Sequence, residues 1–80
     1  LRLRELLGNY LIASYRLLNL RNSVRLSTEH VNKIYKGYEL RDQTRLQLLR
    51  AQANLKELEA RRDLDEQRRE VALRELLDFT

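Results

Sequence analysis

Side chains able to do chemistry are few and poorly grouped in this 80-residue sequence. There is no Cys, and the single histidine, His30, cannot provide a metal-ligand cluster of ordinary spacing. Carboxylates come closest together at Asp63, Asp65 and Glu66, but Arg residues surround them, so we expect solvated charges without a catalytic role. With only two Gly residues, the chain has no glycine-rich phosphate loop. We therefore predict a protein that is not an enzyme and that uses no cofactor and no metal.

The imidazole and phenol side chains are better explained by helix packing than by chemistry. His30 lies beside the packing seam described below, where we expect a solvated flanking residue; a pH sensor is the alternative. The tyrosines, Tyr10, Tyr15, Tyr35 and Tyr38, stand at helical spacing. This spacing favours packing along a helix over a stacking platform for nucleic-acid bases.

The formal net charge is +4, from 16 basic and 12 acidic residues. Such an excess attracts anionic partners when the cations gather on one surface. Here Arg and Lys occur in both halves of the chain and alternate with Asp and Glu, which favours a solvated helix surface over a nucleic-acid patch. No apolar run approaches the roughly 20 residues of a membrane span, and no signal peptide is recognisable. We expect no nucleic-acid partner and no direct membrane contact.

Composition and periodicity predict long helices. The chain has no Pro and is rich in Leu, Arg, Glu, Ala and Gln, which favour helix. In the first half, a heptad seam has a positions at Leu3, Tyr10, Leu17, Val24, Val31 and Tyr38, and d positions at Leu6, Ala13, Leu20, Ser27 and Ile34. This seam predicts one helix of roughly 60 Å that ends near Leu40.

A reversal of chain direction is predicted at residues 41–43. Thr44 and Gln47 have the spacing of a capping box, in which the Thr hydroxyl accepts from the Gln amide and the Gln side chain accepts from the Thr amide. A second helix can therefore start at Arg45. A turn at Gly37 and a single uninterrupted helix are the alternatives.

We therefore predict an all-α fold, an antiparallel two-helix coiled-coil hairpin. Its helices would span about 1–40 and about 44–79, with the turn at about 41–43. We expect the whole chain, residues 1–80, to be one helical hairpin.

The second half carries two apolar lines. We expect the first line to pack on the seam of the first helix, with Val31 near Ala53 and Val24 near Ala60. That line is Leu46, Leu49, Ala53, Ala60, Leu64 and Val71. The other line, expected to find no partner within the hairpin, is Leu48, Ala51, Leu55, Leu58, Ala72 and Leu76.

The first helix also has a spare apolar line, formed by Leu11, Ile12, Tyr15, Leu18 and Leu26. Exposure of a few aliphatic side chains is ordinary in a monomer, but a spare line on both helices predicts further helical neighbours. Arg62, Asp65 and Arg69 continue the spare line of the second helix by heptad spacing. They form either a solvated, ion-paired surface or polar contacts to a neighbouring subunit or a water-filled channel.

Residues 38–52 resemble the hairpin tip of TolC-like outer-membrane efflux proteins. The matching residues are Tyr38, Thr44, Leu48, Leu49, Ala51 and Gln52. Arg41 stands where that family usually has Gly, and Gln47 stands where it usually has Asp. The flanking segments 10–20 and 71–77 are similar to the Leu- and Ala-rich stretches on either side of the family's tip.

This resemblance implies the periplasmic part of a trimeric outer-membrane protein of Gram-negative bacteria. In that family, hairpins assemble into a helical barrel whose tips form the channel entrance and dock to a periplasmic adaptor (membrane fusion) protein of an efflux pump or type I secretion system. The docking residues implied here are Gly37, Tyr38, Leu40, Arg41, Asp42, Thr44, Gln47 and Leu48. The alternatives are the coiled-coil hairpin of the adaptor itself, a nucleic-acid-binding helical arm, and a structural, dimerising coiled coil with one apolar seam per helix.

Overall fold

Two long helices folded back on each other make up the protein. A computed structural model describes all 80 residues, with α1 at Arg2–Glu39 and α2 at Arg45–Phe79. The helices pack side by side in an antiparallel hairpin of 59 × 14 × 13 Å. The predicted all-α hairpin and its turn are confirmed, and the single uninterrupted helix is wrong.

The turn begins with a Schellman motif at the end of α1. Leu40 is the C-cap, and Arg41 has a φ of 64°, in the left-handed region. The amide of Arg41 donates to the Tyr38 carbonyl at 3.0 Å, and the amide of Asp42 donates to the Gly37 carbonyl at 2.7 Å. These bonds satisfy carbonyls that the end of a helix leaves free. Arg41, and not Gly37, therefore adopts the conformation that usually selects glycine.

The predicted capping box starts α2. The Gln47 amide donates to the Thr44 hydroxyl at 3.2 Å, and the Thr44 amide donates to the Gln47 side-chain oxygen at 2.8 Å. Thr44 has an extended backbone, as an N-cap requires. The two caps together need only five residues to reverse the chain, from Leu40 to Thr44.

The predicted seam of α1 is the face that packs on α2. Leu6, Leu17 and Ser27 are buried, and the seam residues between them and as far as Ile34 are half-buried. Only the two outermost positions are exposed, Leu3 at 45% and Tyr38 at 40%. The helices therefore pack along nearly all of α1.

On α2, the predicted packing line is wrong. Every member of the line expected to face α1, which runs from Leu46 to Val71, is exposed. The line expected to have no partner is the one inside the hairpin: Leu48 and Ala51 are buried, and its other members are half-buried. Ala53 and Ala60, which were expected to pack on Val31 and Val24, are therefore not part of the buried interface.

Charged residues in the packing face explain the error. Asp65 is 9% exposed, and Arg62 and Arg69 are half-buried between the helices. The solvated surface expected as one alternative is therefore wrong, and contacts to a neighbouring subunit or a water-filled channel remain a prediction. The two apolar lines are similar in content, and the charges in the buried one made the opposite face the expected interface, because burying charges is costly unless they find partners.

Candidate interaction surfaces

A polar belt crosses the helix interface near the chain ends. The Arg69 guanidinium donates from Nε to the Ser14 hydroxyl and from Nη2 to the Tyr10 hydroxyl, each at 3.0 Å. Its central carbon also lies 5.3 Å from the centre of the Tyr10 ring, a cation–π distance. On the same face of α2, Asp65 accepts from Arg68 at 3.3 Å. The belt gives its half-buried charges partners within the hairpin.

The residues of the predicted docking tip do not all face outward. Leu40 is 73% exposed at the apex, and the side chains of Arg41 and Asp42 are also exposed. Leu48 is only 7% exposed, because it packs between the helices directly after the turn. Leu48 therefore supports the tip from within, and Leu40, Arg41 and Asp42 are among the members of the set that face solvent. The docking role of the set remains a prediction.

Gly37 shapes the tip through its lack of a side chain. A Cβ at this position would lie 2.5 Å from Cγ of Gln43, too close for any two carbon atoms that are not bonded. Gln43 therefore folds back over the backbone of α1, and its amide also donates to the Gly37 carbonyl at 3.2 Å. Gly37 has ordinary helical dihedrals, so close approach, and not backbone freedom, explains the glycine.

Each helix has an uncovered apolar line on the side turned away from its partner. On α1, the predicted spare line is exposed throughout, with Tyr15 at 66%. On α2, the uncovered line is the one that was expected to form the core, with Leu64 at 48%. The prediction that both helices keep a spare face is therefore confirmed, with the two faces of α2 exchanged.

The turn end carries a net positive charge because acidic side chains are scarce there. Residues 30–56 contain six basic and two acidic residues, a net charge of +4 that equals the formal charge of the whole chain. The rest of the chain has ten basic and ten acidic residues. The cations are spread over both halves, as the sequence indicated, and the turn brings together the two helix ends that have few carboxylates. Counting charges outward from the turn would have found this in the sequence.

Ion pairing follows the same division. All seven ion pairs join residues within 2–29 and 57–74. The cations of the turn end have no carboxylate within ion-pair distance; they are Lys33, Lys36, Arg41, Arg45, Arg50 and Lys56. We call residues 30–56 the basic end.

Two shallow recesses lie along the hairpin. One, of about 370 Å³, lies in the basic end; Ile34 and Ala51 form its apolar part, and His30, Gln47 and Arg50 form much of its rim. The other, of about 330 Å³, adjoins the polar belt and includes Arg16, Asp65 and Arg68.

The side chains of the hairpin form no group of three or more His, Cys, Asp or Glu able to hold a metal. Neither helix is long and apolar enough to cross a membrane. Comparisons with protein-family models, curated proteins and solved structures found no match to this chain. The surfaces described above are therefore the basis for a functional proposal.

Proposed function

We propose that the hairpin is the tip segment of the periplasmic helical barrel of an outer-membrane efflux or type I secretion channel, docking there to a periplasmic adaptor protein. The observation that carries the proposal is the pair of uncovered apolar lines on opposite sides of the hairpin. A hairpin that only forms a dimer needs one such line. A hairpin within the wall of a helical barrel needs two, because it has a neighbour on each side. The likeness of residues 38–52 to the tips of TolC-like proteins adds the location and the partner.

A wall of this kind makes a specific prediction about neighbouring copies. If all tips point the same way, α1 of one copy lies beside α2 of the next. Residues of α1 and α2 that lie at the same height along one hairpin then also lie at the same height between neighbouring copies. Arg69 lies level with Tyr10 and Ser14. Counting away from this contact at 1.5 Å per residue on both helices places Leu18 about level with Leu64 of the next copy.

Disulfide cross-linking tests this arrangement, since the chain has no cysteine of its own. Mixed Leu18→Cys and Leu64→Cys chains should form the mixed disulfide in preference to either self-linked product, because Cα atoms must approach to about 4.4–6.8 Å. A mixture of Leu18→Cys with Leu46→Cys is the matched control. Both cysteines then lie on outer faces, but their levels differ by about 27 Å. Predominant self-linking of Leu18→Cys would indicate a two-fold dimer and contradict the wall.

Adaptor docking is tested by binding of a purified periplasmic adaptor hairpin to the 80-residue chain. Leu40→Asp places a charge on the exposed apex without disturbing the helix interface, so it should weaken binding while circular dichroism stays unchanged. Arg41→Gly installs the residue that the TolC-like family usually has at this position, and binding should also respond to this change. Binding that responds to neither change would refute the docking assignment.

A further inference from the structure

The basic end is an uncompensated cationic surface at the place where the proposed function puts a protein contact. All of the net charge of the chain lies there, and none of its cations is held by a carboxylate of the hairpin. Elsewhere, the hairpin pairs or balances its charges. Like charges close together repel one another, so an anionic partner gains more at this end than at any other part of the surface.

We infer that the basic end docks an acidic helical surface of a protein partner. This inference rests on the proposed function for the location of the contact and adds the chemistry of the partner, which is Asp or Glu side chains flanking an apolar contact. The recess of about 370 Å³ provides a place for one such carboxylate. Arg50, Gln43 and Gln47 line that recess, and the guanidinium of Arg50 and the side-chain NH2 groups of both glutamines are hydrogen-bond donors. Ile34 and Ala51 form its apolar part.

Apolar residues at the same end favour a protein over a nucleic acid. Leu40 at the apex, together with Leu46 and Leu49 on α2, is well exposed among the cations. Aliphatic side chains pack on the apolar core of a protein interface but gain little from phosphates and sugars.

The cations are also distributed differently from those of a nucleic-acid-binding stripe. Lys33 is one helical turn from His30, a rim residue of the recess, and Arg50 lines the recess from α2. Lys36 and Arg45 are not among the residues that line it. Charges beside an apolar centre suit the rim of a protein contact, where they steer the partner and select it.

Binding of a labelled helical peptide tests the inference. The probe has a Leu stripe flanked by Glu, and its counterpart has Gln in place of each Glu. The key variant, Lys33→Glu with Arg50→Glu, reverses two unpaired, exposed cations of the basic end. The matched control, Arg4→Glu with Arg16→Glu, reverses two unpaired, exposed cations near the other end of α1 and lowers the net charge by the same amount.

At low salt, the Glu peptide should bind the unchanged chain more tightly than the Gln peptide. The key variant should weaken binding by about tenfold or more, and the control by less than about twofold. Equal weakening by both variants, or equal binding of the two peptides, would overturn the inference. A short DNA duplex that binds more tightly than the Glu peptide and is released by the key variant would also overturn it, in favour of a nucleic-acid partner.

The adaptor experiment separates this inference from the proposed function. An adaptor hairpin that binds the unchanged chain and the key variant equally well would leave the proposed function standing and refute the acidic partner. An adaptor hairpin that fails to bind, alongside a Glu peptide that binds as expected, would refute the proposed function and leave the charge chemistry of the surface intact.

Discussion

Replacing Arg69 with Met would test whether the polar belt stabilises the hairpin. The substitution keeps an unbranched side chain of similar reach but removes the guanidinium. Two hydrogen bonds of 3.0 Å, to Ser14 and Tyr10, and the contact with the Tyr10 ring would be lost together. Hydrogen bonds that involve a charged group contribute about 1.5–3 kcal/mol each when buried, and a cation–π contact contributes about 0.5–2 kcal/mol.

These values must be reduced for Arg69, because the guanidinium is only half-buried and regains water when it is released. Met also contributes apolar burial in exchange. We therefore expect Arg69→Met to lower the free energy of unfolding by about 2 kcal/mol. This is a large effect for a chain with six buried residues, since whole domains are stable by only about 5–15 kcal/mol.

The assay is urea unfolding followed by circular dichroism, at several protein concentrations so that any self-association is visible. Arg61→Met is the matched control, since Arg61 pairs only with Glu57 of its own helix and both side chains are exposed. We expect it to cost at most about 0.5 kcal/mol. A double-mutant cycle with Tyr10→Phe should give a coupling energy of about 1 kcal/mol between Arg69 and the Tyr10 hydroxyl. Equal costs for Arg69→Met and Arg61→Met would refute the reasoning.

Further substitutions should change the free energy of unfolding in the same assay. Arg41→Gly should raise the free energy of unfolding slightly. It relieves a left-handed conformation that costs about 1–2 kcal/mol, and the greater freedom of glycine in the unfolded chain offsets about 0.5–1 kcal/mol of that gain. A loss of stability would contradict the turn geometry. Ser27→Ala removes a buried hydroxyl that has no hydrogen-bond partner and should stabilise the hairpin by about 1 kcal/mol, whereas a loss would show that the hydroxyl is satisfied in solution. A Cβ at Gly8 would meet nothing within 4 Å, so Gly8→Ala should raise the free energy of unfolding by about 1 kcal/mol through its higher helix propensity. Gly37→Ala should give no such gain unless Gln43→Ala removes the side chain that its Cβ would meet. Equal gains from both glycines would disprove the close approach at the tip.

The parts of the fold that depend on local chemistry could be predicted from the sequence. The capping box at Thr44 and Gln47 fixes the start of α2, and the heptad seam of α1 identifies its packing face, because both depend on residues close together in the chain. The left-handed residue at Arg41 could not be predicted, since Gly37 is the more obvious candidate. The motif chooses the position at which the carbonyls of Gly37 and Tyr38 can be satisfied.

The packing face of α2 could not be predicted from the sequence of α2 alone, because it depends on side chains of α1. Its two apolar lines are similar in content, so hydrophobicity alone cannot choose between them. The hydroxyls of Tyr10 and Ser14 make the line that contains Arg69 acceptable in the interface, and they belong to residues more than fifty positions away. For the tip, the sequence located the residues but not the burial of Leu48. The net positive charge around the turn is visible in the sequence once charges are counted outward from the turn.

The polar belt also determines how far the tip stands from the chain ends. Two purely aliphatic stripes can slide past each other by a heptad at little cost, since Leu replaces Leu at each level. Such a slip would move Arg69 from Tyr10 and Ser14 either to Leu3 and Leu7, which offer no acceptor, or to Leu17 and Arg21, which add a like charge. Of these three alignments, only the observed one gives the guanidinium of Arg69 its hydrogen-bond acceptors. Every copy of the hairpin should therefore have the same distance between its turn and its chain ends. In an assembly of several copies, all turns would then end at the same level.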